Sequence, residues 1–100
     1  PACEIITGMA DHYSAVLTLW EKCGIPMGVS ETEDELARCV ALHPQLFLVA
    51  LCDGMVCGAV LGTFDGRRGY VNHLAVDSVF RMQGICGALM EVLMERMKQL

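Results

Sequence analysis

The stretch FRMQGICGALMEVLMERM, Phe80 to Met97, decides how this chain is read. An arginine is followed three residues later by a glycine, the two small residues Cys86 and Gly87 come after Ile85, and the rest is a largely apolar run without another glycine or proline. Ile85, Leu89, Val92, Leu93, Met97 and Leu100 fall on one face of a helix, while Glu91, Glu95 and Lys98 lie elsewhere. At a helix start several backbone N–H groups lack an intrahelical partner, and the macrodipole adds roughly half a positive charge. A glycine turn feeding such a start is a physical device for holding phosphate, and also an ordinary piece of chain punctuation. Its neighbours decide between the two.

Upstream, YVNHLAV, Tyr70 to Val76, reads as a further strand, so the glycine turn lies between a strand and a helix. TFDGRRG, Thr63 to Gly69, supplies a turn before it. The run LFLVALCDGMVCGAVLG, Leu46 to Gly62, approaches membrane-span length. Asp53-Gly54 at its middle argues instead for a hairpin between strands Leu46 to Cys52 and Val56 to Phe64, because a charge at the bilayer centre costs a few kcal/mol. Both strands are apolar at nearly every position, which predicts helices covering both faces of a central sheet.

The N-terminal half supplies those elements. Cys3 to Thr7 reads as a first strand. Asp11 can cap a helix carrying Tyr13, Val16, Leu17, Trp20 and Cys23, with Gly24 where the helix would stop. Ser30 and Glu33 form a capping-box pattern, and Leu36, Cys39, Val40 and His43 line the helix that follows until Pro44. Strand, two helices, three antiparallel strands and a helix make a single α+β domain over residues 1–100, with a mixed, mostly antiparallel sheet. The last helix has no stop signal and no returning strand, so the expectation is a piece of a longer domain or a sheet that a partner chain, as in a homodimer, completes.

Composition bounds the function. One hundred residues, 54% hydrophobic, allow one core. A net charge of −5 with seven scattered basic residues excludes the phosphate-backbone affinity of a nucleic-acid binder, though not a local site for one phosphorylated ligand. The N-terminus has no basic region followed by a long apolar stretch, so neither a signal peptide nor a membrane anchor is expected, and the location expected is the cytoplasm. The six cysteines are spread through apolar segments without a C-x-x-C, and read as reduced core thiols. Cys52 and Cys57 would lie diagonally across the hairpin, close enough to oxidise but too few for zinc. Three dispersed histidines give no metal spacing, and no metal is expected.

LAVDSVFRMQGICGALM resembles the acetyl-CoA-binding segment of the GNAT superfamily of N-acetyltransferases, where a strand ending L-x-V leads to R/Q-x-x-G-x-G/A and a helix. Arg81, Gly84 and Cys86 stand at the three signature positions; Cys86 departs from the usual glycine or alanine. LWEKCG, LFLVA, DGRRG and YVNHLAV extend the likeness over nearly the whole chain, and it is similar to the small bacterial YpeA-like subgroup. The resemblance implies the GNAT fold, acetyl-CoA as cosubstrate, and an amine-bearing small molecule or protein amine as acceptor. By that likeness the backbone of Leu74, Ala75 and Val76 would pair with the pantetheine arm, and Arg81, Met82, Gln83, Gly84, Ile85, Cys86, Gly87 and Ala88 would hold the pyrophosphate. Family members continue beyond this point with a strand, a helix bearing a tyrosine that protonates the leaving thiolate, and a final hairpin.

The base is less determined. Alternation puts Tyr70, Asn72 and Leu74 on one face of their strand and Val71, His73 and Ala75 on the other. The likeness favours the Tyr70 and Asn72 face; His73 is the residue type that titrates near neutrality. All three are candidates, as is an ordered water. His12 and His43 read as exposed helix residues. Glu31, Glu33, Asp34 and Glu35 read as acids at a helix start, with attraction of a cationic acceptor as the functional alternative. Met90, Met94 and Met97 read as packing or dimer residues. The function expected is acetyl transfer by direct attack of the amine; the alternative is a non-catalytic acyl-CoA-binding or dimerisation module.

Overall fold

Asp53 and Gly54 have φ of 53° and 81°. Two successive left-handed residues are what a tight hairpin turn between right-twisted strands requires, and they join β2 (Phe47–Cys52) to β3 (Met55–Phe64). The computed structural model describes residues 3–100. With β1 (Cys3–Thr7) and β4 (Gly69–Val76) these strands form one sheet in the order β1-β2-β3-β4, antiparallel at every ladder among the described residues. The helices are α1 (Tyr13–Lys22), α2 (Glu33–Leu42) and α3 (Ile85–Met97). No helix among the described residues is long and apolar enough to cross a membrane.

The near-continuous apolarity of β2 and β3 has the cause expected of it. Phe47, Val49, Ala59 and Leu61 pack with Val16, Trp20, Leu36 and Val40 of α1 and α2 on one face. Leu48, Ala50, Val60 and Val76 pack with Ile85, Leu89 and Leu93 of α3 on the other. Close approach of α3 depends on Gly62, where a Cβ would stand 2.6 Å from Leu93 Cδ1 and 3.3 Å from Leu46 Cβ. Arg96 fixes the far end of α3, donating from Nη1 to the Gln45 carbonyl at 3.0 Å and to Thr7 Oγ1 at 2.5 Å.

Helix ends differ from the sequence expectation in their capping. Asp11 does not cap α1; a 3-10 turn, Ala10–His12, precedes the helix, and His12 Nδ1 accepts from the Met9 N–H at 3.0 Å. The other end is as read: Gly24 adopts φ 87°, its N–H reaches the Glu21 carbonyl, and the Ile25 N–H reaches that of Trp20. For α2 the cap is Thr32, not Ser30; Thr32 Oγ1 accepts from the Glu35 N–H at 3.2 Å. The T-x-x-E pattern at Thr32 and Glu35 competed with S-x-x-E two residues earlier, and the later one wins because Glu31 is turned back, its Oε1 accepting from the Gly28 N–H at 2.8 Å.

Two register shifts matter. Cys57 is an extra residue on β3, since Ala50 pairs with Gly58 and Leu51 with Val56. On β4, Ala75 pairs with Ala59 and Asn72 with Leu61, leaving His73 and Leu74 opposite Val60 alone. The first bulge brings a third sulfur into play: Cys52 Sγ is in contact with both Cys57 and Cys3, where only the pair in the hairpin was foreseen.

Candidate functional site

The bulge on β4 sets the site. His73 occupies it with φ 49°, a left-handed conformation that histidine adopts more readily than most residues. Because the bulge breaks the alternation, Asn72 and His73 do not fall on opposite faces; both border the cavity under α1 and α2. That cavity, about 230 Å³, is walled also by Trp20, Glu31, Glu35, Leu36 and Leu61. Strict two-residue periodicity could not have foretold this, since one inserted residue inverts every assignment beyond it.

Within the cavity His73 is held on two sides. Its ring meets the Trp20 indole edge-on, with centroids 4.9 Å apart at 70°. Its Nε2 lies 3.2 Å from Glu31 Oε2. The hydrogen bond from His73, with a second from the Gly28 N–H, holds the Glu31 carboxyl below its ordinary value. An ionised carboxylate only accepts, so Nε2 carries the proton and a neutral ring keeps its lone pair on Nδ1. Trp20 is 1% exposed, and its Nε1 has no hydrogen-bond partner among the described residues. Burial pushes the Cys39 thiol in the same wall upward, which disfavours the nucleophilic thiolate.

The other two strand candidates are placed differently. Asn72 Nδ2 donates to Thr63 Oγ1 at 3.0 Å across the strand pair. Tyr70 is not among the residues lining the cavity; its hydroxyl donates to Asp65 Oδ2 at 3.2 Å, and the Asp65 charge raises its pKa. His43 stacks edge-on against Phe64. Glu31 and Trp20 are the residues that sequence reading placed elsewhere, one with a helix start and one with the core. The available signal was Glu31 lying ahead of a threonine cap.

Beyond the bulge, Leu74, Ala75 and Val76 border a second cavity of about 350 Å³ with Arg81 and Cys86. A third, about 230 Å³, continues from Val76 and Arg81 along Met82 and Gly84 to Ile85 and Cys86. Arg81 bridges them, its Nε donating to the Val76 carbonyl at 3.2 Å, where Cys23 Sγ also donates at 3.5 Å. Asp77 is clamped by Lys22 at 2.8 Å and by the Val79 N–H at 3.0 Å, and its pKa is lowered chiefly by the Lys22 bond. The strand end is thereby tied to α1 and to the turn.

The turn has the form that an anion cradle needs. Gly84, the residue before α3, takes φ 79°, and Gly87 in the first helical turn has open space where a Cβ would stand. No acidic residue lies in that first turn. The Ala88 N–H is already bonded to the Gly84 carbonyl at 3.0 Å, so the unsatisfied helix-start donors are those before it. A pyrophosphate fits this donor set by charge and by clearance.

Residues 13–100 match the family model described as Acetyltransferase (GNAT) family. A Pectobacterium atrosepticum protein named Acetyltransferase ECA0875 is 38% identical over 94 residues, which are 94% of this chain and 67% of that protein. Acetyltransferase SG1711 of Sodalis glossinidius is 36% identical over 94 residues, again 94% of this chain and 66% of the relative. The chain therefore spans about two thirds of the length of these curated relatives. Among solved structures, Ard1 from Thermoplasma volcanium superposes with a TM-score of 0.87 at 21% identity, over 99% of this chain and 66% of that one. The PaiA N-acetyltransferase from Thermoplasma acidophilum, in complex with coenzyme A, does so with 0.84 at 14% identity, over 99% and 74%. The bulged strand, the left-handed glycine and the helix start thus stand in a fold shared with such proteins, and the chain belongs to the GNAT acetyltransferase family.

Proposed function

We propose that this protein transfers the acetyl group of acetyl-CoA to a primary amine, with the amine bound in the cavity under α1 and α2. The observation that carries this reading is the Glu31–His73 pair, set on the bulge where that cavity adjoins the β4 edge. Acetyl-CoA supplies an activated acyl group. Backbone N–H groups from Gly84 to Gly87 take its pyrophosphate, and the edge of Leu74 to Val76 aligns its thioester arm.

The amine arrives as an ammonium, and the carboxylates of Glu31 and Glu35 attract it. His73 Nδ1 accepts its proton while Glu31 stabilises the imidazolium that forms. The freed amine nitrogen bonds to the acetyl carbon, the carbon–sulfur bond breaks, sulfur leaves as thiolate, and the second proton that the nitrogen sheds as the amide forms neutralises that thiolate. The raised Cys39 thiol fits a direct attack without a protein nucleophile. A diaminobutyrate acetyltransferase from Paenibacillus lautus shares this fold, and its substrate L-2,4-diaminobutyric acid is an amine-bearing small molecule, the acceptor class proposed here. A cytoplasmic location goes with acetyl-CoA as the cosubstrate.

The test is mass-spectrometric detection of acetylated product from a panel of simple alkylamines, amino acids and peptide amines. Turnover of an amine on this panel, lowered about 10²- to 10⁴-fold in His73→Asn, is expected. Transfer unaffected by His73→Asn or Glu31→Gln would remove the pair from the chemistry.

A further inference from the structure

Cys3, Cys52 and Cys57 bring three sulfurs together at the opposite end of the hairpin from the β4 bulge. Cys3 pairs directly with Cys52 across β1 and β2, and the β3 bulge turns Cys57 toward the same face. The three Sγ atoms lie within 4.8 Å of one another, and Cys52 is in contact with both others. A sulfur forms one disulfide at a time, so a pairwise disulfide uses only two members of this set. Cys52 and Cys57 are 0% and 1% exposed, whereas Cys3 lies at the surface and offers an entry path.

We propose that these three cysteines form a binding site for a thiophilic trivalent metalloid of the arsenite class. Soft ions select thiolate ligands, and bonds of roughly 2.3 Å to one centre hold sulfurs no more than about 4.6 Å apart. Charge chooses among such ions. The two buried sulfurs belong to the apolar cluster under α3. Three thiolates around a monovalent ion leave a net charge of −2, and around a divalent ion −1, which an apolar surround disfavours. A trivalent centre leaves none. Arsenous acid exchanges its three hydroxyls for three cysteine sulfurs: three As–O bonds break, three As–S bonds form, and the thiol protons leave in three water molecules. No oxidant or reductant takes part. Occupation would tie β1 to the β2–β3 hairpin and stabilise the fold by mass action.

The experiment adds sodium arsenite to the fully reduced, folded chain without oxygen and reads the adduct by native mass spectrometry, alongside near-ultraviolet sulfur-to-arsenic absorption and the melting temperature. The chain has six cysteines. One equivalent should add one arsenic with the loss of three of the chain's thiol hydrogens and raise the melting temperature. Cys3→Ser, a surface change that leaves the core intact, should weaken binding by more than about 100-fold, since even lost outer-sphere partners cost 10- to 100-fold. Cys86→Ser, at an exposed site outside the cluster, should leave it unchanged. No arsenic retained by the folded chain at one equivalent, or equal effects of Cys3→Ser and Cys86→Ser, would overturn the assignment. Tighter binding of cuprous or zinc ion than of arsenite in the same titration would overturn the charge argument.

Discussion

His73 carries two demands that a substitution can separate. Its backbone is left-handed, which costs an ordinary L-residue about 1–2 kcal/mol and which asparagine tolerates. Its ring faces Trp20 and Glu31. His73→Asn is therefore expected to keep near wild-type stability while transfer falls, whereas His73→Val should lose transfer and about 1–2 kcal/mol of stability together; denaturant melts beside turnover read the two apart. Equal stability in both variants would show that the bulge does not depend on the residue. Gly84 poses the complementary case. At φ 79° a valine is strained and crowds the cradle, so Gly84→Val should remove coenzyme binding first. Residue identity at both places was visible in the chain, but only Gly84 was legible as geometry, because a glycine before a helix announces its conformation and a histidine inside a strand does not.

At the scale of the elements, α3 is seated by what β3 lacks. A side chain at Gly62 meets Leu93 and Leu46, so Gly62→Ala is expected to cost about 1–3 kcal/mol by overpacking, read as a lowered denaturant midpoint at unchanged slope. Thr32→Ala should cost about 1 kcal/mol through the lost cap of α2, while Ser30→Ala should be neutral to stability. The reverse ranking would return the cap to Ser30. Here the sequence was most readable: hydrophobic patterning located the three α-helices and four strands of the described residues, and Asp53-Gly54 named its own turn. It was least readable where two cap patterns overlapped and where a bulge shifted register, because both are decided by contacts with other elements. The same holds for the site. The phosphate turn is local in sequence, while Glu31, Trp20 and His73 converge only through the packing of α1 and α2 on β4.

Across the whole molecule, carboxylates set the acid limit. Glu31, Asp65 and Asp77 are each held below their ordinary values, by His73, by the Arg68 and Arg67 backbone N–H groups, and by Lys22 respectively. A depressed carboxylate adds stability that is present above its unfolded pKa and is lost as pH falls through its folded one. The melting temperature should therefore change little with these groups near neutrality and drop below about pH 4. Asp77→Asn, which removes one such group, should flatten part of that drop; an unaltered acid profile would show that the Lys22 clamp does not contribute. The clamp also joins α1 to the strand end and the glycine turn, beside the bonds of Cys23 and Arg81 to the Val76 carbonyl.

The most direct measurement is calorimetric titration of this chain with acetyl-CoA, with dephospho-CoA and adenosine as controls and Gly84→Val as the variant. Saturable binding that weakens sharply in Gly84→Val, and that adenosine does not reproduce, is the result expected if the helix start holds the pyrophosphate. Folded protein that binds no acetyl-CoA, or binds it equally well with valine at position 84, would contradict the phosphate-holding role of this turn.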